Sequence, residues 1–423
     1  MSGDGCQKDV QNFSGVLRHK GGDAYNLVPQ SLCVLNPLAR KTLELPSSKI
    51  FFQHYLHRTA AALSARHGDL NPFVAFLVPM GMANNMILHG LLTLGGVHYA
   101  YRQASTSDQT IWLHYGQMVK SLIPAITKHS SRNSSTEVVE LFMGTILLCV
   151  IESLRGDGAS ALLHVKASRQ LLLSTLQLPR SLLDESTRAL LCELYVYVMA
   201  TSAIPGQMAD VSLVEDSSLF LPIITSGRNA RSGLWCGAAL ELFLTIPQVS
   251  LLTGRLHREA LAGIVSLDTK LATSSLQSTI STWTTESTDE SFVACGKLYQ
   301  QALLVCLGSP IAASNAHPEN DSVVVQEACW HLDHLLESLP IESPISTTLC
   351  WPLVVIGLRT KDSYYQNIIR QRLTAMMGHL VLRNIQEVLR LLECVWANEE
   401  HASDHPLTMA SMMLEHGFCI LFI

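Results

Sequence analysis

Seventeen histidines and eleven cysteines give this 423-residue chain the side chains that metal binding and nucleophilic chemistry use, so their spacing decides what they can do. His54 and His57 lie three apart, as do His331 and His334, while His401 and His405 lie four apart. Each spacing puts two imidazoles on one helical face, as a zinc site requires. No Asp, Glu or Cys completes any pair at a recognisable ligand spacing, and H-E-x-x-H is absent. The pairs read as core-edge or surface histidines. The cysteines form no C-x-x-C and mostly sit in apolar runs, so they read as free thiols acting as small buried hydrophobes. Residues 156–161, Gly-Asp-Gly-Ala-Ser-Ala, match the loose dinucleotide fingerprint G-x-G-x-x-A. That fingerprint must follow a short strand. Here a long apolar run over 137–154 precedes it, which reads as a helix, and 155–158 reads as a helix–turn–helix corner. Gly-x-Ser-x-Gly and G-x-x-x-x-G-K-[ST] are absent, and nothing marks Glu399, Glu400 and Asp404 as a catalytic set. These patterns assign no catalytic residue, no metal ligand, no DNA-binding residue and no cofactor.

The elements that would position any site are organised around residues 70–101, which hold no Asp, Glu, Lys or Arg in a chain that is 15% charged. Pro79, Gly81, Asn84 and Asn85 divide this stretch into pieces shorter than the ~20 apolar residues of a membrane span. Its second piece is apolar on every face, which predicts a buried central helix over 86–102. His89 and His98 are polar exceptions within it, and a buried imidazole must find a partner. With His164 on a later helix they make the candidate effector-pocket set, an ordinary backbone carbonyl being the competing partner for each.

Composition narrows the class. The chain is 48% hydrophobic with mean hydropathy +0.24, enough for a deep core. A net charge of −6 supplies no electrostatic footprint for nucleic acid. Residues 1–23 lack the apolar segment of a secretory signal. Residues 1–47 read as a loosely ordered leader, with Ser47-Ser48 capping a helix over 49–67. Helical spacing recurs over 107–128, 134–154, 159–176, 184–203, 291–307, 321–339, 349–357, 361–382, 384–396 and 407–417. Pro124 predicts a kink or late break, and Ser134 with Glu137 a capping box. Residues 210–231 read as irregular, 234–252 as a helix interrupted near Pro247, 257–275 as its continuation, and 274–290 as a Ser/Thr-rich loop or frayed helix. No repeat emerges. The expected fold is all-α: a large single helical domain over 48–423, of stacked antiparallel helix pairs around the buried central helix.

The later half carries a resemblance. Residues 349–357, Leu-Cys-Trp-Pro-Leu-Val-Val-Ile-Gly, lead through an amphipathic stretch to a helix that closes on Val395-Trp396. Trp351, Pro352, Leu353, Gly357, Val395 and Trp396 thus resemble the end of the fungal-specific transcription factor regulatory domain, which usually follows a Zn2Cys6 cluster. Asn71-Pro-Phe73, residues 87–100, His114-Tyr115, 147–152, 164–168 and 298–304 are similar to that family's other pieces, in order. The resemblance covers about residue 48 to the end. A Zn2Cys6 cluster needs six closely spaced cysteines, and no such run occurs in these 423 residues. The resemblance therefore implies a nuclear transcriptional regulator that lacks its own zinc cluster. It would act through a protein partner, a homodimer or a small-molecule effector, without direct DNA or membrane contact. The competing expectation is an enzyme or metabolite-binding protein of a biosynthetic pathway, such as secondary metabolism, on the same scaffold.

Overall fold

Asn84 starts the helix predicted to be buried: its side chain accepts the Met86 N–H, and the helix runs Asn85–Arg102. The absence of charge that singled out this stretch follows from burial on almost every face. Gly95 sits so close to its neighbour that a Cβ there would lie 2.4 Å from the Phe51 carbonyl oxygen. Only glycine permits that approach.

The computed structural model describes residues 36–68, 71–103, 109–129, 135–204, 211–226, 233–308, 319–397 and 409–422. Every regular element among them is a helix. In chain order these are α1 (Pro37–Glu44), α2 (Pro46–His54), α3 (Ala60–Ala62), α4 (Pro72–Ala75), α5 (Leu77–Ala83) and α6 (Asn85–Arg102). Next come α7 (Gln109–His129), α8 (Ser135–Arg155), α9 (Gly158–Leu176), α10 (Glu185–Ser202), α11 (Val211–Ser226), α12 (Leu240–Leu261) and α13 (Leu267–Ser281). The series closes with α14 (Glu290–Leu307), α15 (Glu319–Glu337), α16 (Cys350–Gly357), α17 (Ser363–Leu380), α18 (Arg383–Ala397) and α19 (Met409–Glu415). A π-turn, Tyr55–Thr59, joins α2 to α3, and a 3-10 turn, Pro344–Thr348, precedes α16. Helix α6 packs against α2, α5, α7 and α8, and α8 against α9. The fold is all-α, as the spacing predicted, and no described helix is long and apolar enough to cross a membrane.

Several expectations change. Within the 1–47 leader, α1 is helical: Asn36 accepts the Leu38 N–H, Pro37 fits the first turn, and Ala39 enters the core. Helix α2 begins at Pro46, so Ser48 is not a cap; it lies inside the helix and turns into the core. The stretch read as irregular over 210–231 contains α11, with Pro222 inside it. Phe220 and Ile224 are buried there, Phe220 edge-on to Tyr195 at 5.5 Å between ring centroids. Pro247 does not interrupt α12; it is buried within a continuous helix, so tertiary packing outweighs the lost backbone bond. Pro124 likewise lies inside α7. Residue 134 of the capping box, the His401–His405 pair and residues 399–404 lie outside the described residues.

Of the described cysteines, Cys149, Cys192, Cys236, Cys295, Cys306, Cys329 and Cys350 are free and buried, while Cys394 and Cys419 are free and exposed. The fingerprint-like corner is a turn between helices. Gly156 has φ +84°, Asp157 caps α9 through the Ser160 N–H, and a Cβ on Gly158 would lie 2.2 Å from the Cys419 carbonyl oxygen.

Candidate effector site

His98, on α6, turns into the core and makes two hydrogen bonds, Nε2 to the Leu380 carbonyl (3.0 Å) and Nδ1 to the Thr59 hydroxyl (2.9 Å). A carbonyl only accepts, so Nε2 carries the proton and Nδ1 accepts from Thr59. Burial first, then the neighbouring His54, pushes the His98 pKa down to about 4, so the ring is neutral at pH 7. His54 lies 5.0 Å from it, centroid to centroid, and edge-on to Tyr99 at 5.3 Å. Burial, then Arg102 and Arg58, lowers the His54 pKa to about 4, and its Nε2 is buried with no hydrogen-bond partner among the described residues.

His89 belongs to a different group. Its Nδ1 meets Nδ1 of His114 at 2.9 Å, and Nε2 of His114 meets the Ser48 hydroxyl at 3.0 Å. One Nδ1 must donate and the other accept, so the pair requires opposite tautomers, and protonating the acceptor would leave two N–H groups facing each other. Burial lowers the His89 pKa in the same sense. A serine hydrogen-bonded to a histidine that a second ring orients has the outline of an activated nucleophile. Ser48 is wholly buried, however, and His114 nearly so, which keeps a substrate from the hydroxyl.

Tyr115, the residue after His114, starts a second cluster. Its hydroxyl donates to Glu152 Oε1 (2.5 Å), and Arg155 Nη1 donates to Glu152 Oε2 (2.7 Å). The Arg155 guanidinium lies over the Trp112 ring at 4.4 Å, a cation–π contact. Burial, then the bond to Glu152, pushes the Tyr115 pKa up to about 12. His164 feels this cluster: burial lowers its pKa, with Glu152 and Asp157 opposing.

The three histidines singled out in the sequence therefore do not converge on one point. His89 and His98 stand nine positions apart, roughly 180° around α6. The His114-Tyr115 step lies between the other two, since His114 bonds His89 and Tyr115 bonds the carboxylate whose charge acts on His164. Ser48, Trp112, Glu152 and Arg155 were not singled out as site residues. Glu152 carried a usable signal: it follows the uncharged run 141–151 and lies in the last turn of its helix, where the dipole opposes a carboxylate. Such a group demands a cation, and Arg155 follows three residues later. Ser48 carried no signal, because a serine near a helix start reads as a cap.

A further buried carboxylate is satisfied internally. Glu193, in the middle of α10, accepts the backbone N–H groups of Gly233, Trp235 and Cys236. Among the described residues no group of three or more His, Cys, Asp or Glu could hold a metal ion.

The motif at the end of the chain also meets in space. Trp351 is wholly buried, stacked on Tyr299 with centroids 5.6 Å apart, and its indole N–H points to the Ala203 carbonyl at 3.4 Å. Trp396 donates its indole N–H to the Gly357 carbonyl at 2.8 Å. A Cβ on Gly357 would lie 2.9 Å from a Leu392 methyl, so the glycine admits α18 against α16. A family model described as the fungal specific transcription factor domain matches residues 50–422. No curated protein and no solved structure matches.

Proposed function

This chain belongs to the fungal specific transcription factor domain family, and from that premise we propose that it modulates transcription in the nucleus without reading DNA itself. It acts through a protein partner, a second copy of itself or a small effector held between its helices. The observation that carries the reading is the extent of the family match, which runs from α2 to the last described residue. Two features support the finer parts. The sequence holds no six-cysteine run, and its net charge is −6, so the reading assigns DNA contact to another chain or module. The central helix carries a neutral, buried imidazole at His98 and a half-buried one at His89 whose pKa burial also lowers, and His164 lies near the Tyr115–Glu152 pair. Because His89 and His98 lie on opposite faces of α6, an effector would pack against one of these faces, not against all three histidines at once.

The test is to tether the chain to an unrelated DNA-binding domain, measure reporter output, and purify its associates from nuclei. Changed output with a nuclear partner is expected. No reporter change, no nuclear partner, and turnover of a pathway intermediate by the purified protein would replace the regulator with an enzyme.

A further inference from the structure

The hairpin of α12 and α13 ends in an apolar tip that is exposed among the described residues. Leu261, Ile264, Leu267 and Leu271 are between 60% and 78% exposed. They fall within eleven consecutive positions, on the last turn of α12, the connecting turn and the first turns of α13. Single exposed leucines are ordinary, but four together put roughly 400–500 Å² of apolar surface in one place, the size of a functional patch.

The tip is also tied together internally. Leu256 and Val265 form a small core of their own with Leu252 and Ala260, and Leu252 also packs against the main core. The Glu259 carboxylate clamps the connection, accepting from the Ser266 N–H (2.8 Å), the Thr269 hydroxyl (2.9 Å) and Arg255 Nε (2.9 Å). A surface held in one shape loses little freedom when it is covered.

We propose that this tip is a two-fold contact between copies of the chain. A contact about a two-fold axis must be complementary to itself. Asp268 and Lys270 flank Leu267 and Leu271 on α13, so Asp268 of one copy can face Lys270 of the other. Residues 271–285 then carry no charge at all, although most of the α13 positions among them are exposed. Apart from Arg258, exposed one turn before Leu261, and the Arg255–Glu259 pair, the tip carries only the complementary Asp268 and Lys270, so two chains of net charge −6 meet here with little like-charge opposition. Facing tips would cover roughly 900 Å² of apolar surface before any rim is added, which places the interface at the small end of the specific class. The dimer is therefore concentration-dependent.

This inference deepens the regulatory reading by naming one of its contacts. Sedimentation of the purified full chain across a range of concentrations tests it. Self-association is expected, and Ile264→Asp with Leu267→Asp should leave a monomer with unchanged circular dichroism and melting temperature. Acidic residues at the start of α13 suit its dipole, so that variant keeps its fold. Lys270→Asp alone should weaken association by about tenfold or more, and adding Asp268→Lys should restore it. A wild-type chain that stays monomeric, whether because another protein covers the tip or because nothing does, overturns the proposal. So does a dimer unaffected by the tip substitutions, or a charge exchange that restores nothing. A monomer that still changes reporter output would sink the contact and leave the regulator standing.

Discussion

At the scale of single residues, Trp351 and His98 show two kinds of burial. Trp351 ends a run of aromatic contacts that passes from Tyr197 to Phe243 to Tyr299, with centroid separations of 5.9, 4.5 and 5.6 Å. Trp351→Ala removes the largest fully buried side chain, and the rigid rings around it cannot close the hole. It should lower stability by roughly 3–5 kcal/mol in denaturant titration. An unchanged midpoint would mean that the indole contributes no packing. His98 is a titrating group as well as a packed one. Its folded pKa is about 4, against 6.5 for an ordinary histidine, so as pH falls the unfolded chain takes up the proton first. The contribution is complete above pH 6.5 and is lost as pH falls through about 4. Over that window it amounts to roughly 3 kcal/mol. His98→Gln keeps an amide donor for Leu380 and binds no proton. Its stability should fall less steeply than wild type between pH 6.5 and 4 in melts across that range. Identical slopes would refute the assignment. Trp351 was legible in the sequence because a tryptophan in an uncharged run has few alternatives to burial. The Ser48–His114–His89 chain was not, because its members come from helices that the sequence does not pair.

At the scale of elements, the helices that a single stripe or cap announces were legible, and those decided by tertiary contact were not. Asp184 and Asp157 accept the third N–H of the helices they start, and both starts fell within one residue of where the sequence put them. Helix α11 was missed because Ser and Asp residues blur its period and Pro222 reads as a break, whereas Phe220 packed on Tyr195 holds it in place. The end of α17 was read to within two residues, but the conformation of its cap was not. Val381 occupies its C-terminal cap in the left-handed region, φ 57°, and is the only non-glycine among the described residues with positive φ. A β-branched residue there is strained by roughly 1–2 kcal/mol. The adjoining Leu380 carbonyl takes the His98 N–H, and the close packing of α17 on α18 leaves the chain little choice of turn. Val381→Asn suits that backbone and should stabilise the protein by about 0.5–1 kcal/mol, read as a higher melting temperature. A lower one would show that the valine side chain contributes more by packing than it loses by strain.

At the scale of the whole molecule, the helical class was legible from spacing throughout, but not which distant helices meet. A contact such as His98 to Leu380, across 282 positions, leaves no local period. These long-range contacts lace the end of the chain into its beginning. The Tyr101 hydroxyl donates to Gln386 at 2.8 Å, the Phe422 N–H to the Thr201 carbonyl at 3.2 Å, and the main apolar core runs from Ala39 to Phe422. Helices α17 and α18 therefore complete the environment of α6 and are not an appendage to it. Two consequences follow for unfolding. Calorimetry should record one cooperative transition, because no large part of the core is buried independently of the rest. Ending the chain at Asp362 should remove the acceptor of His98 and the partner of Tyr101 together, along with the Leu392 and Trp396 contacts to Gly357. The shortened protein should expose its apolar central helix, lose its sharp melt and be digested rapidly by protease. A truncated chain that melts sharply near the wild-type temperature would instead mean that residues 363–423 fold onto a unit already complete without them.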